Sequence, residues 1–215
     1  MKLRGLYAIT PELEDAALLE SRVRTALTHA PHGWAALQYR NKSAGSELRL
    51  EQARRLAAVA RERRIPFLVN DDVELALAVH ADGVHLGRED GDLREARRKL
   101  AGRIVGASCY NSLDAARRAV AAGADYVAFG SMFASPTKPH AVRAPLHLFG
   151  EARSLGVPLV AIGGITLENA PQVLAAGADA LAVLASLFDA TDLAARALAF
   201  ASLFTAQSAP THEPT

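Results

Sequence analysis

VAAGADYVAFG, residues 120–130, is met in altered form at two other places in the chain. ALAVHADGVHLG occupies 76–87 and VLAAGADALAVLAS occupies 173–186. Each passes from an alanine-rich helix end, through a small residue and an aspartate, into an apolar strand. Such a repeat marks one supersecondary unit being reused. The glycine or small residue before the aspartate suits a helix C-terminus, where a left-handed φ is needed.

Working outward from these units gives eight short strands, predicted at 5–10, 35–40, 66–71, 83–87, 103–108, 126–130, 158–164 and 180–186. Most are continuous apolar runs, as expected for parallel strands covered on both faces. Amphipathic stretches such as 46–63 and 112–122 lie between them with helical spacing. Asn111 or Ser112 can cap the second of these, and Asn169 with Gln172 makes a similar helix start. Eight alternating units point to a single-domain (β/α)8 TIM barrel over 1–205, followed by a polar disordered tail at 206–215. An open doubly wound sheet is the alternative. It fits less well, because no GxGxxG follows the first strand and the paired glycines come only after the seventh.

Composition narrows the function. The 215 residues have a formal net charge of +1, which gives no general attraction to nucleic acid or to an anionic membrane. Any anionic small molecule must then be held by a few placed cations. Cys109 is the only cysteine, so no intrachain disulfide can form. No apolar run approaches the ~20 residues that cross a bilayer. The chain reads as soluble and cytoplasmic, with a homo-oligomer left open.

In a barrel of this kind the active site lies at the C-terminal ends of the strands. The second strand ends in Gln38, Arg40 and Lys42, the third in Asn70 and Asp71, and the fifth in Ser108. Asp90 follows the fourth, and the sixth leads into Ser135, Thr137 and Lys138. Arg40, Lys42 and Lys138 form a cationic set suited to phosphate. Asp71 and Asp90 form a carboxylate set suited to Mg2+, which takes few protein oxygens and keeps other positions for water and phosphate. Each set has a plainer reading: solvated strand ends for the cations, and helix caps for Asp71, Asp72 and Asp90. The glycines of AIGGIT, 161–166, can present backbone N–H groups to a phosphate or simply make a tight turn. His85 reads as a hydrogen-bonded interior residue and Cys109 as an inert buried thiol. No HxH or HExxH pair suggests zinc.

QYRNK, VNDDVELAL, ADGVHLGRED, VGASCY, ADYVAFGSMFASPTKP and VAIGGITLENAPQVLAAGADALAV resemble, in order, signature segments of the thiamine phosphate synthase family. The resemblance runs from about residue 5 to about 200. It implies a transferase of thiamine biosynthesis that condenses 4-amino-5-hydroxymethyl-2-methylpyrimidine diphosphate with a thiazole phosphate, using one Mg2+ per active site. It further implies that Gln38, Arg40, Lys42, Asn70, Ser108 and Lys138 hold the pyrimidine diphosphate, with Arg40, Lys42, Ser108 and Lys138 catalytic. Asp71 and Asp90 would bind the metal, and Ser135, Thr137, Gly164, Leu184 and Ala185 the thiazole phosphate. The chain departs from the usual family pattern at Asn41, Ser131 and Ser135, and at Leu184-Ala185, where a serine is common. Arg143 is a further candidate to close over the ligands. A thiazole tautomerase of the same superfamily is the alternative, although it would have no diphosphate to handle. A non-catalytic phosphate-metabolite sensor would need no paired carboxylates.

Overall fold

The computed structural model describes residues 3–88, 91–134 and 142–205. Eight strands, β1 (Gly5–Ile9), β2 (Trp34–Tyr39), β3 (Phe67–Asn70), β4 (Gly83–Leu86), β5 (Ile104–Tyr110), β6 (Tyr126–Phe129), β7 (Leu159–Ile162) and β8 (Ala180–Val183), follow one another in chain order. They close into an all-parallel barrel in the order β1 to β8, with β8 pairing back on β1. The helices are α1 (Ala16–His29), α2 (Ser46–Arg63), α3 (Val73–Ala78), α4 (Leu93–Lys99), α5 (Leu113–Ala121), α6 (His147–Ala152), α7 (Ala170–Ala175), α8 (Ala185–Phe188) and α9 (Leu193–Thr205). All eight predicted strands are present, and the structure is a (β/α)8 barrel, not an open sheet. The predicted tail, 206–215, lies outside the described residues.

The repeated aspartates have a common mechanical task. Asp82, Asp125 and Asp179 each stand just before an even-numbered strand and bind the start of the preceding odd one. Their carboxylates accept from the N–H groups of Phe67 (2.8 Å), Val105 (2.7 Å) and Leu159 (2.9 Å). Their own N–H groups donate back to the carbonyls of the same three residues, each at 2.8 Å. Three identical stitches therefore tie the N-terminal rim, satisfying backbone groups that the ladder leaves open at strand starts.

Alternation along the strands divides the core in two. Leu6, Leu37, Val69, Val127, Phe129, Leu181 and their like face the helices in one large apolar cluster. Tyr7, Ile9, Ala36, Leu68, Tyr126, Ala128, Val160, Ala180 and Ala182 form a smaller cluster inside the barrel. Small side chains at 36, 128, 180 and 182 leave room for Tyr7 and Tyr126 to meet edge to face, ring centroids 6.0 Å apart. Above them the lumen becomes polar.

Candidate active site

The polar residues inside the barrel come from consecutive strands, Gln38 from β2, Asn70 from β3, His85 from β4 and Ser108 from β5. Apart from Tyr126 at the start of β6, the inward residues of β6, β7 and β8 (Ala128, Val160, Ile162, Ala180 and Ala182) are apolar. The lumen therefore has one hydrogen-bonding wall and one apolar wall, a shape suited to a flat heterocycle with polar edges.

The polar wall is continuous. Tyr7 donates to Gln38 Oε1 at 2.6 Å, and its hydroxyl meets that of Tyr126 at 2.7 Å. Gln38 Nε2 donates to Asn70 Oδ1 (2.6 Å), and Asn70 Nδ2 donates to Asp71 Oδ2 (2.5 Å). On the other side, His85 Nδ1 lies 2.8 Å from the Tyr126 hydroxyl and Nε2 lies 2.8 Å from Ser108 Oγ. Burial lowers the His85 pKa to about 4, against a smaller upward pull from the Asp71 charge, so the ring is neutral at pH 7. Gly106 makes this arrangement possible. It pairs in register with His85 on one side and Tyr126 on the other, and its missing side chain lets the two rings stack at 5.6 Å.

At the rim, β2 stops at Tyr39, so Arg40 and Lys42 are carried by the loop beyond it. Buried Thr10 grips Arg40 by accepting from its N–H (3.0 Å) and donating to its carbonyl (3.3 Å). The Arg40 guanidinium pairs with Glu12. Partial burial raises the Glu12 pKa, but hydrogen bonds from the Ser43 hydroxyl, the Lys42 N–H and Arg40, with the Arg40 charge, bring it below the usual carboxylate value. Lys42 Nζ lies 2.8 Å from Asp71 Oδ2. A cavity of about 230 Å³ opens at this corner, lined by Tyr39, Asn41, Lys42, Arg49, Asn70 and Asp71. Asn41, the departure in the second-strand motif, faces away from the cations and donates to Leu13 O and Gln52 Oε1, both at 3.1 Å.

The capping alternatives resolve by residue. Asp72 caps α3, accepting from Leu75 N at 2.8 Å while pairing with Arg49 at 2.7 Å. Asp92, not Asp90, caps α4. Asp71 is thus released from capping and holds a left-handed φ of 63° at the rim. Such a conformation is uncommon for a residue other than glycine, though aspartate is among those that tolerate it best.

Gly163 and Gly164 follow β7 with φ of 100° and 65°. A Cβ at Gly163 would lie 2.7 Å from Ser131 Oγ, and one at Gly164 would lie 2.6 Å from Ala134 O. Close packing of the 131–134 segment accounts for both glycines whether or not a phosphate binds there. Asn169 was predicted to cap α7, but its side chain makes no cap bond. The second helical residue, Pro171, has no N–H to offer. Asn169 instead accepts from Thr166 N and donates to Gly164 O, each at 2.9 Å, bracing the glycine turn. Leu184 and Ala185 lie at the start of α8. Burial pushes the Cys109 thiol up to about 12, consistent with an inert group. Asp90, Ser135, Thr137 and Lys138 lie outside the described residues.

Tyr7, Tyr126, Glu12 and Thr10 went unremarked in the sequence. Tyr7 and Tyr126 could have been found from strand alternation, since each sits in the inward register of its strand. Glu12 carries no comparable local signal; its link to Arg40 spans the loops after two strands.

The family model described as thiamine monophosphate synthase matches residues 6–187. A thiamine-phosphate synthase of Aromatoleum aromaticum is 59% identical over 207 residues, covering 95% of this chain and 98% of that one. One from Chromobacterium violaceum is 53% identical, covering 96% and 99%. Among solved structures, a thiamine phosphate pyrophosphorylase from Pyrococcus furiosus superposes with a TM-score of 0.84 at 35% identity, covering 97% of this chain and 98% of that one. A 3-hexulose-6-phosphate synthase matches with a TM-score of 0.66 at 18% identity, covering 92% and 98%, a likeness of fold alone.

Proposed function

Because the chain belongs to the thiamine monophosphate synthase family, we propose that it joins the aminopyrimidine diphosphate to the thiazole phosphate through the residues gathered at this rim. The activity is that of a thiamine-phosphate synthase, a condensing transferase. The observation that carries the assignment of residues is the division of the site: a polar lumen wall ending in Gln38, Asn70 and Ser108, directly beneath the charged corner of Arg40, Lys42 and Asp71.

In this reading the pyrimidine enters the lumen between the polar and apolar walls, and its diphosphate projects to the rim. The methylene C–O bond breaks with its electron pair leaving on diphosphate, and the thiazole nitrogen lone pair forms the new N–C bond. Ring electron donation relieves the methylene, so the main demand on the protein is the charge gathering on the leaving group. Arg40 and Lys42 sit where that charge develops, and preorganised cations of this kind are usually the largest catalytic contribution. Lys138 is proposed to join them. Ser135, Thr137, Gly164 and the backbone at Leu184 and Ala185 are proposed to hold the thiazole phosphate. No general base is required, in keeping with a His85 that is neutral and bonded at both nitrogens.

Asp71 fits a Mg2+ ligand on the chemistry of its position. It is a hard oxygen donor, freed from capping, that already carries a cation, Lys42, at 2.8 Å. Asp90 is proposed as the second carboxylate. When bound, the metal would offset the diphosphate charge. Among the described residues no helix is long and apolar enough to cross a membrane, and a cytoplasmic location suits such a biosynthetic enzyme. The test is direct. Purified protein given both substrates and Mg2+ should release diphosphate and form thiamine phosphate, measured by chromatography. No product under those conditions overturns the reading.

A further inference from the structure

We infer that Arg88 is a further binding residue for the diphosphate, presented to it by the ring of Tyr110, which acts as its positioning residue. The inference rests on the proposed function for the identity of the ligand, and on the rim geometry for the presence of a phosphate contact.

The end of β5 is bent to bring Tyr110 to this place. Ser108 pairs in register with Ala128 and Tyr110 with Phe129, so Cys109 and Tyr110 together stand against one residue of β6. A bulge of this kind re-aims the side chain that follows it. Ser108 keeps its inward direction beside His85, Cys109 is buried against the helices, and Tyr110 emerges at the C-terminal rim with 40% of its surface exposed. Its φ is 54°, a conformation that is unfavourable for so large a side chain. Burial does not account for the strain, because a ring this exposed gains little from the core. The ring instead lies under the guanidinium of Arg88, whose Cζ is 4.9 Å from the ring centroid. Strain held at a rim, with no packing reason for it, points to a task there.

Arg88 stands in the loop after β4, two residues past Leu86. Arg40, Lys42 and Arg49 are each paired with a carboxylate, Glu12, Asp71 and Asp72 respectively. Arg88 differs: among the described residues it meets a ring face and no carboxylate. A stacked guanidinium uses its face and keeps its edge, so the N–H fork in its plane stays open to a phosphate. An uncharged ring also leaves the positive charge uncancelled, and no carboxylate has to be displaced before an anion binds.

Position selects which phosphate. In the barrel β4 lies between β3, which ends in Asn70 beside Asp71, and β5, which carries Ser108. These neighbours belong to the proposed diphosphate side, whereas the residues proposed for the thiazole phosphate follow β6, β7 and β8. Arg88 therefore extends the cationic arc across Asn70 and Asp71 from Arg40 and Lys42, on the side where the leaving group gathers charge.

The test uses inorganic diphosphate with Mg2+, measured by calorimetry, which needs no turnover. Arg88→Gln should weaken its binding about five- to tenfold, as for one lost charge-assisted hydrogen bond. Tyr110→Leu should weaken it by about threefold or more through loss of the cation–ring contact, and Tyr110→Phe, which keeps the ring, should restore it. The double variant should bind no more weakly than Arg88→Gln alone, since the ring acts only through the arginine. Affinity in Arg88→Gln within about twofold of the parent overturns the binding role. An unchanged affinity in Tyr110→Leu, a loss that persists in Tyr110→Phe, or losses that multiply in the double variant overturn the positioning role. In turnover, Arg88→Gln should raise KM for the pyrimidine diphosphate and leave KM for the thiazole phosphate unchanged; the reverse pattern overturns the assignment to diphosphate. A parent protein that forms no product would strike the proposed reaction, while the calorimetry would still decide whether Arg88 binds the anion.

Discussion

Gly106→Ala should be among the most damaging one-carbon additions the barrel can suffer. Gly106 lies between His85 and Tyr126 in the register of β4, β5 and β6. A Cβ there would stand 2.0 Å from Tyr126 Cζ and 2.3 Å from its hydroxyl oxygen. To reach even the short edge of ordinary contact, 3.4 Å, the ring must retreat by about 1.4 Å. It has nowhere to go, because Tyr126 has no exposed surface and its hydroxyl is held by Tyr7 and His85. Overpacking of a tight core costs about 1–3 kcal/mol. A ring displaced that far also gives up at least one buried hydrogen bond, about 1–3 kcal/mol more. A total of about 2–6 kcal/mol corresponds to a fall in Tm of roughly 4–24 °C for a chain of this size. Thermal unfolding followed by circular dichroism measures it, and turnover should fall with it, since the displaced ring releases His85 from Ser108. A variant melting within 3 °C of the parent, with full activity, would refute the account of Gly106 as the opening that joins the two rings.

The exposed Gly150 in α6 gives the opposite sign: a Cβ there meets nothing within 4 Å, so Gly150→Ala should raise stability by about 0.5–1 kcal/mol, read as a small rise in Tm. His85 predicts a pH dependence. Its folded pKa of about 4 lies below the ordinary 6.5, so its contribution to stability is complete above 6.5 and is lost as pH falls towards 4. The loss, on the order of 3 kcal/mol at most, should disappear from the pH dependence of Tm in His85→Gln. Glu12→Ala should raise KM for the pyrimidine diphosphate by up to about fivefold with a smaller change in kcat, because in this partly exposed pair Glu12 holds Arg40 but does not itself meet substrate. Since the Glu12 pKa is lowered, its hold on Arg40 is present above the usual carboxylate range and fails only as pH drops below it, so parent KM should be flat above pH 5.

What could be read in the sequence was what repeats or stays local. The ADG and GAD units were legible because three equivalent aspartates perform one task, stitching strand starts at the lower rim. The strands were legible because burial on both faces leaves unbroken apolar runs. Gln38, Asn70 and Ser108 could be selected because each ends a strand. The pairing of Tyr7 with Tyr126 could not, since they are 119 residues apart and their contact exists only once the barrel closes. Gly106 gave no signal for a related reason: its conformation is ordinary, and the need for a missing side chain is set by Tyr126, its register partner on the adjacent strand. Asn169 failed as a cap because its side chain is engaged in the glycine turn, accepting from Thr166 N and donating to Gly164 O, a detail that the capping pattern alone does not weigh.

The interior polar chain also bears on why the site is built at this end. An apolar lumen would be simpler to stabilise, since every buried polar atom must find a partner or cost stability. Here each partner is found by passing the obligation along, strand by strand, until it reaches Asp71 at the rim. The chain inside the barrel thus ends on the same carboxylate that holds Lys42. Substituting Asp71 would remove the acceptor of the Asn70 amide and so disturb the chain from its rim end. The charged corner and the ring-binding wall are therefore coupled through covalent neighbours and hydrogen bonds, and a substitution at Asp71 should change recognition of the pyrimidine as well as of its diphosphate.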